Sequence, residues 1–207
     1  MTLAGCGFSV PGATVIDGED SGSVAEASPE GPTSDAPAAC PASYTAVSGA
    51  PSLYRWNTTS ETFWTHNAGC DADLPGATHL AVLDTRAEAL ALHVYSASLS
   101  PQPNLGRFYI GAVQDPSATS VSAGWIQFTG DPTPALLWAF LGAQEPCDGV
   151  DCNETNHDEQ LAVLEPAADF IIDVRGSVFY GAVCECDHRA VTTMATNFIT
   201  NDPNNPN

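Results

Sequence analysis

Apolar residues along this chain come in short runs separated by Gly, Pro, Ser and Asn, and only two stretches keep a helical period. Residues 43–54 hold apolar pieces punctuated by Ser, Gly and Pro, which predicts a hairpin. Residues 60–70 (SETFWTHNAGC) open on a Ser cap candidate and set Phe63 and Trp64 on a helix-like face. HLAVL at 79–83 is a short β run. Residues 84–97 (DTRAEALALHVYSA) then repeat Ala and Leu at helical spacing behind an Asp84 or Thr85 cap. FYIGAV at 108–113 and GWIQFTG at 124–130 read as strands, and a long middle without period leads to three more: QLAVLEP, FIIDVR and VFYGAVCEC. Two early helices followed by many strands is an α+β order, not an alternating α/β one.

The flanks carry no such pattern. Residues 7–39 are mostly Gly, Pro, Ser, Ala and acid, with no basic residue and no aromatic after Phe8, so residues 1–39 read as a disordered, self-repelling tether. Residues 188–207 finish in Asn and Pro and read as a flexible tail, which leaves 40–187 as the folded domain.

Charge narrows the range of partners. Five arginines, no lysine and 25 acidic residues give a net charge of −20, which repels phosphate backbones and anionic lipid headgroups. The same excess favours a cation, and an oxygen-loving one such as calcium above all. Seven cysteines point to an oxidising compartment. Their odd number leaves one without an internal partner, and Leu3-Ala4-Gly5-Cys6 resembles a bacterial lipobox with Cys6 as the lipid attachment point. Only five residues precede Cys6, without the basic and apolar regions of a signal peptide. Either the true start lies upstream or the match is accidental. No other stretch is long and apolar enough to span a bilayer.

The order of elements and several residues within them resemble the C-type lectin-like domain over roughly residues 40–187. Trp64 and Cys70 match the aromatic and the terminal cysteine of that family's first helix, and GATHLAVLDTRAEAL at 76–90 matches its approach to the second. Tyr109-Ile110-Gly111-Ala112 stands for its Trp-Ile-Gly-Leu strand. Trp125, Phe128, Gly130 and Trp138 stand for its later aromatic and glycine element, and Ala182-Val183-Cys184-Glu185 for its closing strand. The aromatics also make sense as core residues of a loop-rich body, and Gly111 as a close backbone approach. The resemblance implies two helices, mostly antiparallel strands and a long-loop region. It also implies a Cys70–Cys184 bridge and, since the two ends of the domain form adjacent strands in that fold, a Cys40–Cys186 bridge. Cys147 and Cys152, with four residues between them, are left to close a local one.

The stretch QEPCDGVDCNETNHDEQLAVL at 144–164 falls in that long-loop region, where sugar-binding members of the family hold calcium. Carried over position by position, Glu145-Pro146 match the start of a Glu-Pro-Asn motif, while Cys147 replaces its Asn with a soft sulfur. Glu159 matches a later Glu ligand. Asp173 matches the Asp of an Asn-Asp pair, and Ile172 replaces the Asn. Asp148, Asp151 and Asn153, with Glu154, Asn156 and Asp158, supply further oxygens in the same segment. Calcium is therefore the candidate cofactor, on a ligand set short of two amides. His157 has no second His or Cys ligand at a recognisable spacing, and no nucleophile elbow or phosphate loop is present. A few domains of this broad fold do oxidation chemistry, which would need a free exposed thiol. The expectation is a non-enzymatic recognition module outside the cytoplasm, lipid-anchored at a bacterial surface or secreted, binding glycan or protein through its acidic loop. The alternative is a metal-independent protein-contact or adhesion domain that binds no sugar.

Overall fold

The computed structural model describes residues 39–120, 122–131, 159–165, 171–203 and 205–206. The chain divides into two units, Met1–Ala36 and Pro37–Asn207, and every described residue belongs to the second. The hairpin forms as β1, Thr45–Ala46, paired antiparallel with β2, Leu53–Glu61. β2 reaches further than its sequence suggests because Leu53 to Asn57 pair without a break along the last strand, and Glu61 pairs again beyond a bulge. This pushes the first helix back. α1 spans Phe63–Asp73 and is capped by Thr62 rather than Ser60, the Thr62 hydroxyl accepting from Thr65 N at 3.4 Å.

β3, Thr78–Leu80, leads to α2, Arg86–Ala97, whose cap is Thr85, accepting from Glu88 N at 3.2 Å. α2 buries Glu88, Ala89, Leu92 and Ser96, positions spaced so as to share one helical face. β4 (Phe108–Gln114), β5 (Trp125–Gln127), β6 (Leu161–Leu164), β7 (Ile171–Val174) and β8 (Tyr180–Cys186) follow. The described strands form one sheet in the order β1-β2-β8-β4-β6-β7, with β3 also on β8 and β5 also on β4. Each pairing is antiparallel except β4 with β8.

Both faces of this sheet are covered, which is why its strands read as unbroken apolar runs. Tyr109, Val113, Leu161, Val163, Ala182 and Cys184 pack with α1 residues Phe63, Trp64 and Cys70. Their strand neighbours Phe108, Ile110, Ala112, Ala162, Leu164 and Val183 pack with α2 residues Ala89 and Leu92. Gly111 sits where β4 passes β3: its N–H donates to Ala81 O at 2.7 Å, and a Cβ there would collide with Leu80 O. Tyr109 is fully buried, and Trp64 and Trp125 nearly so, as expected of core aromatics; Trp138 lies outside the described residues.

Two of the three expected bridges are present. Cys40–Cys186 and Cys70–Cys184 have Cα separations of 6.0 Å and 5.4 Å. Cys147, Cys152 and Cys6 lie outside the described residues. The expectation of a flexible tail needs correcting. Thr193–Asn201 form a third α-helix among the described residues, α3, capped by Thr192, whose hydroxyl accepts from Ala195 N at 3.3 Å. Ala195 and Ile199 join the α1-side core, and Thr192 N donates to Phe128 O at 2.8 Å. Burial of these two side chains outweighs the poor helix propensity of a Thr- and Asn-rich segment.

Candidate functional site

The sheet fixes the described residues that flank the acidic segment. β5 pairs with β4 through Ala112↔Gln127 and Gln114↔Trp125, and Asp131 O folds back to accept from Gln127 N at 2.8 Å. β6 pairs through Val113↔Leu161, and Gln114 N donates to Gln160 O at 2.9 Å. Asp131 is thus held by Gln127, which pairs with Ala112, and Gln160, next to Glu159, is held by Gln114. Buried Gln114 stiffens this end by donating to Ser120 O at 3.0 Å and Ala123 O at 2.8 Å.

Glu159 is half-buried, just ahead of β6, whereas Asp173 is buried within β7 opposite Ala162. That register sets Asp173 three residues along the ladder from Glu159, roughly 10 Å at about 3.3 Å per residue. Among the described residues, no group of three potential ligand atoms includes either of them. Ile172 points into the α1-side core, so it fills space where an amide was expected. Glu145, Asp148, Asp151 and Asn153 lie outside the described residues.

A second polar site has no counterpart in the linear reading. Glu185 on β8 is 0 % exposed, and its Oε2 accepts from Val82 N at 2.8 Å, holding the chain between β3 and α2. Glu88 does the same from α2. Its Oε2 accepts from Asp84 N at 2.9 Å and its Oε1 from the Tyr54 hydroxyl at 2.6 Å. Gln127 Oε1 accepts from Leu83 N at 2.8 Å. Three buried side chains thereby satisfy three consecutive amides of one connection, as buried backbone requires. His79 lies beside them, 1 % exposed, with Nδ1 2.8 Å from Leu80 O and Nε2 3.0 Å from Asp187 Oδ1. Arg189 closes the cluster by pairing with Asp187 and, at 2.9 Å, with Asp84.

Burial pushes the Glu185 carboxyl up to about 7, opposed by hydrogen bonding from the Ser52 hydroxyl and the Val82 N–H and helped by the Asp187 and Glu88 charges. Glu88 is raised by burial too. Burial works against a charge on His79, but the Asp187 hydrogen bond and the Leu80 carbonyl outweigh it and raise the imidazole. Asp187 is desolvated yet held well below the usual carboxylate range by His79 and Arg189.

Comparison with solved structures decides the architecture. C-type lectin CEL-I from Cucumaria echinata superposes with a TM-score of 0.52 at 15% identity, covering 72% of this chain and 99% of the other. The mouse scavenger receptor C-type lectin carbohydrate-recognition domain gives 0.53 at 16%, covering 72% and 98%. Ovocleidin-17, a major protein of the Gallus gallus eggshell calcified layer, gives 0.50 at 16%, covering 72% and 99%. This is a C-type lectin-like fold. No family model matches the chain, and no curated protein matches it.

Within the lectin-like domain the described sites divide by origin. The acidic segment was legible as composition, and the strands that flank it are marked in the sequence as well. The cluster of His79, Glu185, Asp187 and Glu88 was missed because its members are far apart in the chain and only the β3–β8 register unites them. One signal was available: a lone Glu between two cysteines of a fully apolar strand has to face something polar.

Proposed function

We propose that this domain is a non-enzymatic recognition module that uses the acidic segment 144–164 as its contact surface for a carbohydrate or a protein partner. The observation carrying this reading is the attachment of the flanking residues, Asp131 through Gln127 and Gln160 directly, to residues 112–114 of β4, since a rigid base suits a recognition segment. The lectin-like fold supports it, since two of the similar structures are named as C-type lectins and one as a carbohydrate-recognition domain. Calcium held by some of Glu145, Asp148, Asp151, Asn153, Glu159 and Asp173 would bridge to sugar hydroxyls. One finding favours the second reading, metal-independent protein contact: Ile172 belongs to the core and Asp173 sits inside β7, away from Glu159. Two bridges fit an oxidising, extracytoplasmic setting, with Cys6 as the proposed lipid anchor. No helix among the described residues is long and apolar enough to cross a membrane.

Thermal unfolding of the metal-stripped protein with and without added calcium separates the two readings. A bound ion at 100 times its dissociation constant adds about 2.7 kcal/mol, a shift of several degrees. A shift, followed by glycan binding that chelator abolishes, supports the sugar reading. No shift, with glycan-independent binding to a protein partner, supports the second.

A further inference from the structure

His79 and Glu185 are direct partners across the β3–β8 ladder, so their side chains rise on the same face of the sheet. Asp187 follows Glu185 by two residues and comes to the same spot just past the end of β8. The ligand atoms of these three residues lie within 4.8 Å of one another.

The hydrogen-bond inventory shows what the spot lacks. Nδ1 of His79 faces Leu80 O, a pure acceptor, so Nδ1 carries a hydrogen. Nε2 then faces Asp187 Oδ1, another acceptor, and two lone pairs at 3.0 Å need a positive centre between them. Glu185 Oε1, on a fully buried side chain, has no partner at hydrogen-bond geometry, although the Ser52 hydroxyl acts on this carboxyl group and favours its charge. The nearest cation to it is Arg189 Nη2 at 3.9 Å, too far for a hydrogen bond.

We propose that His79 Nε2, Asp187 and Glu185 bind a divalent first-row transition ion of the zinc type, which takes the place of the proton between His79 and Asp187. One imidazole nitrogen with two carboxylates suits zinc better than calcium, which prefers an all-oxygen shell. The Nδ1–H bond to Leu80 O is the outer contact that orients a metal-bound imidazole. Arg189 is the built-in competitor: its side chain is 36% exposed at the mouth of the site and can keep Asp84 while yielding Asp187. The site uses no residue of the acidic segment.

The test is zinc titration of the chelator-stripped full chain near neutral pH, by calorimetry in buffers of different ionisation enthalpy. The expected result is one tight zinc with proton release, which ionised surface carboxylates would not give. His79→Gln weakens it by more than about tenfold, and Arg189→Gln tightens it by removing the competing charge. Asp187→Asn is read in the same way should His79→Gln fail to fold. Calcium in excess does not displace the zinc. Absence of a tight site, zinc binding unaltered by His79→Gln or Asp187→Asn, or weaker binding in Arg189→Gln overturns the proposal.

Discussion

The two disulfides are nested, and this makes their contributions to stability unequal in a calculable way. Cys40–Cys186 encloses 146 residues and Cys70–Cys184 encloses 114. In an otherwise open chain the inner bridge would stabilise by about 4.8 kcal/mol in the chain-entropy relation. Once the outer bridge is closed, the unfolded chain already connects Cys70 to Cys184 by a second arm, 146 less 114, or 32 residues long. Two arms in parallel behave as a loop of about 25 residues, and the inner bridge is then worth about 3.5 kcal/mol. The inner pair replaced by alanine should therefore cost about 1.3 kcal/mol more in a background lacking Cys40 and Cys186 than in one retaining them. The lost sulfur packing is common to both backgrounds and cancels in the cycle. Four proteins unfolded by denaturant in the same stabilising osmolyte supply the measurement. The osmolyte matters because loss of both bridges removes about 8–9 kcal/mol, comparable with the whole stability of a typical domain. Equal costs in the two backgrounds, or a smaller cost without the outer bridge, would refute the reasoning.

Three further outcomes are expected. Glu185 has a folded value of about 7 against 4.5 unfolded, so the folded state binds the extra proton and stability falls as pH rises through that window. Chelator-treated Glu185→Gln should lose most of this slope, gaining up to about 3 kcal/mol at pH 8 relative to pH 4; denaturant melts across that range would expose an unchanged slope. Gly111→Ala drives a methyl into Leu80 O and to 3.2 Å from the Phe128 ring, and should cost about 1–3 kcal/mol by denaturant unfolding, whereas no loss would mean that β4 yields freely. Ile199→Ala should cost about 2 kcal/mol if α3 is part of the core, and an unaltered midpoint would return the tail to the frayed state its sequence suggests.

The strands were legible because both faces of the sheet are apolar, which leaves runs such as LAVL and the closing YGAVC with little ambiguity. The helix starts were less so. Ser60 and Thr62 are equally good caps, and only the pairing of β2 with β8 decides between them. α3 was illegible for a thermodynamic reason, since TMATNFITN has poor intrinsic helicity and gains order through Ala195 and Ile199. The resemblance pointed to the bridges, whereas the His79 site depends on register between residues more than 100 positions apart, and no local pattern encodes a register.

Cys40 and Cys186 also define a load path. A pull entering at Cys40 and leaving beyond β8 crosses a covalent sulfur link and does not have to pass through the hydrogen bonds of β2 and β8. The sheet is short-circuited mechanically, and α3 is the one described helix lying outside the shunt. Shear on the chain ends would peel that helix first and leave the strands of the sheet unstretched.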